Sequence, residues 1–202
     1  PFSSSTSFST IVVRFLSPIS DMPSGISREL NQRFENNLNA HGIQRIYAFH
    51  ADHDMVIHLY SERRLEEEKL KSITRRLTED LKNTCHFFVA RGPIVSGAER
   101  IFHSYEQAVK MLELGFFFEL DSELPEQVPG SSAVPFADLM PDFLLAMTNE
   151  QESQALKVAE RLYASISPAL LTANQARDLY YKYLGKLDEY ATAKHISLWN
   201  RP

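Results

Sequence analysis

Apolar positions along this chain recur at two periods, and the switches between them mark out its parts. "TIVVRFL" (10–16) is rich in β-branched and aromatic residues and is broken by "SPISDMPSG", which predicts a strand. Ile26, Leu30, Phe34 and Leu38 then fall four apart on one helical face, and Gly42 is a natural stop. "IQRIYAFH" and "MVIHLY" read as two further strands. "LEEEKLKSITRRLTEDLKN" spaces Leu70, Ile73, Leu77 and Leu81 helically, with acidic residues in its first turns where the helix dipole favours them. "CHFFVARGPIV" predicts a strand buried on both faces. "GAERIFHSYEQAVKMLELG" places Ile101, Tyr105, Ala108 and Leu112 on one stripe, and "FFFEL" (116–120) has the composition of a short last strand.

The resulting order, β-α-β-β-α-β-α-β, predicts an α+β fold: a ferredoxin-like sheet with helices packed on one face. On this reading residues 1–9 are disordered or linker, 10–120 form the α+β domain, and the Pro- and Ser-rich residues 121–135 are a linker. From 136 to 202 the period is helical throughout. "MPDFLLAM" is one short helix. A second carries Ala155, Val158 and Leu162 inward. A third opens on Thr172 with Gln175 three residues on, a capping-box spacing. The apolar positions of this last helix include Leu179, Tyr183, Leu187 and Tyr190, close to a heptad seam, and predict a dimer interface or a core face.

Composition narrows the function classes. The 202 residues carry a net charge of -5, and an acidic chain without a basic cluster is poorly suited to gripping nucleic-acid phosphates. Cys85 is the lone cysteine, which excludes an intrachain disulfide and a cysteine zinc site and suits a reducing, cytoplasmic setting. No apolar run has the length of a membrane helix. The start at Pro1, without a methionine, suggests a fragment or a processed chain.

Candidate chemistry gathers at "AFHADHDMVIHLYSE" (48–62). His50, Asp52, His53 and Asp54 between two strands have the residue types of a metal or acid/base site, and equally those of a solvated hairpin tip. On a strand His50, Asp52 and Asp54 would share a face, but near a turn that alternation fails. One hairpin tip offers every donor, and no second cluster is an obvious partner, so these residues stand as ligand candidates and no metal is assigned. His58, between Ile57 and Leu59, reads as a cross-strand histidine. Cys85 and His86 abut, and neighbours on a strand face opposite ways, which argues against a catalytic pair. No glycine cluster forms a phosphate-cradling loop. No cofactor is implied.

Two stretches carry a family resemblance. "RIYAFHADHDMVIHLY" sits where a GGDEF-domain enzyme has its signature hairpin. "GPIVSGAERIFHSYEQAVKMLELGFFF" resembles the S-Y-x-Q-A helix of the degenerate GGDEF-like domains in the middle of AraC-family two-component response regulators. The helical tail resembles the segment C-terminal to this domain in those regulators. The resemblance places Ala51-Asp52-His53-Asp54-Met55 at the Gly-Gly-Asp-Glu-Phe motif, so both glycines are replaced. It also implies a metal-binding aspartate at the end of the first strand, where this chain has "VVRFLSP" with Arg14 and Leu16 and no acid before Asp21.

Two-metal phosphoryl transfer needs carboxylates to hold the ions, so the resemblance implies a regulatory domain without catalytic residues. It would lie between a receiver and a DNA-binding domain of the same chain, dimeric in the full protein, with no direct nucleic-acid contact and no membrane. The competing readings are a nucleotide-binding or cyclase-like enzyme domain and the sensing domain of a membrane-bound AraC-type regulator.

Overall fold

The computed structural model describes residues 2–21, 24–82, 84–126, 139–166 and 171–195, with the side chains of 24–31 outside that description. The chain divides into two compact units, Pro1–Val128 and Pro129–Pro202.

In the first unit the elements are β1 (Ser7–Phe15), α1 (Ser24–Ala40), β2 (Gln44–His50), β3 (Asp54–Ser61), α2 (Glu67–Leu81), β4 (Phe87–Arg91), β5 (Val95–Ser96), α3 (Ile101–Leu112) and β6 (Ser122–Glu123). They build one sheet in the order β2-β3-β1-β4-β6, with β5 pairing the start of β1. All pairings are antiparallel except β4 with β6. The α+β class expected from the alternating periods is therefore the class observed.

β1 is central because its residues can be buried on both faces. Ile11, Val13 and Phe15 point into a core with Phe34, Leu38, Leu70, Ile73, Leu77 and Leu81 from α1 and α2. Val12 points the opposite way, with Val56, Phe88 and Ala90, onto Ala108, Met111 and Leu112 of α3. This corrects the expectation of helices on one face: α1 and α2 cover one side and α3 the other. The period-two run "TIVVRF" is apolar at both parities, and a strand apolar at both parities needs two covering layers. The expected burial of β4 on both faces arises from the same geometry.

Three boundaries differ from the sequence reading. β1 begins at Ser7, inside the stretch read as disordered or linker, because Ser7 and Phe8 pair with both β3 and β5. Phe2 also packs edge-on against Phe8 and Tyr60, at 5.1 and 5.0 Å between ring centroids. The aromatic run "FFFEL" does not make the last strand. Glu113–Phe117 winds as a 3-10 turn that seats the Gly115 backbone on the Phe88 ring, where an added Cβ would lie 3.1 Å from the ring. The strand falls later, at Ser122–Glu123, within the stretch read as linker; residues 127–135 of that stretch lie outside the described residues. Finally, α3 starts at Ile101, after a 3-10 turn at Ala98–Arg100.

The second unit is helical: α4 (Met140–Thr148), α5 (Glu152–Ser165) and α6 (Ala173–Ala193). The Thr172 hydroxyl accepts the Gln175 N–H, and the Gln175 side chain accepts the Thr172 N–H, completing the capping box. The Tyr190 hydroxyl donates to the Met147 carbonyl at 2.8 Å, tying the end of α6 to α4. Among the described residues no helix is long and apolar enough to cross a membrane.

Candidate functional site

β2 and β3 are joined by three residues, Ala51, Asp52 and His53, with His50 paired to Asp54 across the hairpin. Ala51 holds φ 53°, a left-handed conformation that a glycine would adopt without the steric cost of a Cβ. The turn keeps its shape because its polar groups are tied to the loop after β1. The Phe15 N–H donates to the His53 carbonyl at 2.8 Å and the Ile19 N–H to the Asp52 carbonyl at 2.7 Å. The Asp52 carboxylate accepts the Ser20 hydroxyl at 2.8 Å and the Ser20 N–H at 3.2 Å. His53 Nδ1 lies 3.2 Å from the Phe15 carbonyl. His50 and His53 are exposed.

Asp54 differs from its neighbours. It stands directly opposite Arg14 in the β1–β3 register. Arg14 Nε and Nη2 donate to its two oxygens at 2.9 and 2.8 Å, a bidentate fork. The Asp54 side chain is 13% exposed and that of Arg14 35%. The pair raises the Arg14 pKa, first through the Asp54 hydrogen bond, with Glu113 and Tyr105 of the α3 side adding to it. The four ligand candidates therefore do not converge: Asp52 is used by Ser20, Asp54 by Arg14 and His53 by the Phe15 carbonyl, while His50 is exposed.

A divalent cation does not fit this donor set. Its most buried carboxylate already accepts both donors of the Arg14 fork. Among the described residues no group of three or more His, Cys, Asp or Glu side chains is placed to hold a metal ion.

The remaining sequence candidates have structural explanations. His58 is a cross-strand neighbour of Thr10, with Nδ1 2.9 Å from the Thr10 hydroxyl, and burial lowers its pKa. The Cys85 thiol is pushed up to about 11 by burial and by Asp121, so it is a poor nucleophile. Of the α6 stripe, Tyr183 is buried and Leu179, Leu187 and Tyr190 are half-buried, whereas Tyr180 and Tyr181 are the more exposed, at 55% and 62%.

The S-Y-x-Q-A stretch of α3 proves to be a packing device. The fully buried Ser104 hydroxyl accepts the Thr10 N–H at 2.9 Å and donates to the Pro93 carbonyl at 2.8 Å, while Ala108 lets the helix lie close on β1 and β4. Gly92 completes the contact: an added Cβ would fall 1.8 Å from the Ser104 carbonyl oxygen. In sequence Gly92 reads as mere punctuation; a close backbone approach between distant segments leaves no local signal.

With sheet, hairpin and helix in place, the class is plain. A family model described as a GGDEF-like domain matches residues 2–114, and the chain belongs to that family of signal-transduction domains. A search of curated proteins found no match.

Proposed function

We propose that this chain is a non-catalytic, signal-transmitting domain of an AraC-type transcriptional response regulator, working between a receiver and a helix-turn-helix domain of the same polypeptide. The observation that carries the non-catalytic part is the Arg14–Asp54 fork. A carboxylate with both oxygens accepting from a guanidinium is a poorer ligand for a metal ion, and phosphoryl transfer depends on such ions to offset developing charge. The regulator context rests on the resemblance of Ser104-Tyr105-Glu106-Gln107-Ala108 and of the helical tail. The setting is cytoplasmic, the partner is a second copy of the full protein, and this part makes no direct contact with nucleic acid.

Incubation with GTP or ATP and magnesium or manganese is expected to yield no cyclic or linear dinucleotide. Product above background that disappears in Asp54→Ala would instead establish a cyclase-like enzyme. The coding sequence on either side of these residues tests the context separately: a receiver ahead and a helix-turn-helix domain behind support the proposal, and other neighbours refute it.

A further inference from the structure

The end of β4 carries a charge where a sheet core normally takes an apolar side chain. Arg91 lies opposite Ile11, and its side chain is 1% exposed. Its Nη2 donates to two carboxylates, Glu67 at the start of α2 and Glu126 just past β6. Both acceptors crowd one nitrogen, while Nε and Nη1 are buried with no acceptor among the described residues. A buried donor without an acceptor has lost its water and gained nothing in exchange. The guanidinium is a planar fork of five N–H donors suited to one bidentate carboxylate. Arg91 therefore holds more donor capacity than the described residues fill.

Glu126 also forms one wall of an open cleft of about 480 Å³, faced by Lys71, Ser72 and Arg75 of α2. This volume suits a small molecule. The two carboxylates on Arg91 are not equivalent. Glu67 is held below the ordinary carboxylate range, first by its hydrogen bond from Arg91, whereas Glu126 is pushed above it, first by burial. Glu126 lines the cleft and Glu67 does not, so Glu126 is the carboxylate on Arg91 that a molecule in the cleft meets.

We propose that the cleft is a binding site for a small dicarboxylate, with Glu126 standing in for the ligand in the free protein. One ligand carboxylate replaces Glu126 on Arg91 and spans two nitrogens of the fork. The other meets Lys71 and Arg75. At Arg91 the exchange conserves charge, so Glu67, Glu68 and Glu123 oppose the first carboxylate no more than they oppose Glu126; the two cations at the cleft offset the second. Glu126 lies just before Val128, the last residue of the first unit, so its displacement releases an anchor at the end of that unit. The inference stands independently of the transcriptional reading above.

Titration calorimetry of the full chain tests it, with succinate and glutarate as probes and acetate as the monocarboxylate. A dicarboxylate is expected to bind wild type in the millimolar range or tighter. Glu126→Ala removes the internal competitor and should bind about ten-fold tighter. Glu126→Gln, which keeps the side-chain volume, should show a gain of the same sign. Lys71→Glu combined with Arg75→Glu, folded by circular dichroism, should lose binding. The proposal is overturned if neither Glu126 variant binds a dicarboxylate, if both bind no tighter than wild type, or if acetate binds as well as the dicarboxylates.

Discussion

Breaking the Arg14–Asp54 fork one side at a time should expose an asymmetry set by burial. Arg14→Met keeps most of the aliphatic stem and strands the Asp54 carboxylate, which is only 13% exposed. Asp54→Ala strands a guanidinium that is 35% exposed and can turn to water. A buried charge left without its partner costs more than one that water reaches. Two charge-assisted bonds would set the pair near the upper end of hydrogen-bond energies, about 1.5–3 kcal/mol, while an exposed ion pair contributes about 0.2–1 kcal/mol. With Arg14 about a third exposed, solvent screening discounts the first figure, and a coupling of about 1–2 kcal/mol is expected. Arg14→Met should then cost about 2–3 kcal/mol and Asp54→Ala about 1–2 kcal/mol. Urea unfolding of the wild type, both single variants and the double variant, followed by circular dichroism at neutral pH, gives the cycle directly. A coupling within about 0.3 kcal/mol of zero, or a larger loss in Asp54→Ala than in Arg14→Met, would refute this account of the hairpin.

The packing sets three further outcomes. Ser104→Ala leaves the Thr10 N–H and the Pro93 carbonyl without their buried partner and should cost about 1–3 kcal/mol, and Gly92→Ala, whose Cβ meets backbone, should cost more; a urea midpoint unchanged in either would contradict the clasp. Burial raises the Glu123 pKa, so the folded state binds the proton more tightly than the unfolded chain. Wild type therefore loses stability as pH rises from the ordinary carboxylate pKa through the raised one, and Glu123→Gln should raise the urea midpoint at neutral pH with the gain fading in acid; no gain at neutral pH would count against it. Of the α6 stripe read as a dimer interface or core face, Tyr183 is buried within one chain, so Tyr183→Glu should lower the melting temperature; the exposed rings of Tyr180 and Tyr181 are where the proposed homodimer would meet, and Tyr180→Glu with Tyr181→Glu should leave folding intact and dissociate it. Sedimentation equilibrium at micromolar concentration decides this, and a strictly monomeric wild type removes the dimer.

Local patterning alone determined much of this fold. Leu70, Ile73, Leu77 and Leu81 are spaced for one helical face and are all buried there, because helical periodicity is a property of neighbours in sequence. Gly42 ends α1 at φ 65°, and Thr172 and Gln175 close their box, each within a few residues. The hairpin between β2 and β3 is visible for the same reason, and the basic residue near the end of β1, Arg14, can be read directly.

Tertiary structure decided everything that depends on pairs distant in the chain. Which side of the sheet α3 covers is set by Val12, Val56, Phe88 and Ala90 meeting Ala108 and Leu112. That Arg14 fills its strand position by holding Asp54, forty residues on, needed the β1–β3 register, since only pairing places the two side by side. That Gly92 must lack a side chain needed the Ser104 backbone beside it, and that Arg91 is a buried charge needed β4 to lie between β1 and β6 with both faces covered. A sequence displays periodicity and chemistry residue by residue; burial and partnership arise only when separate segments are brought together.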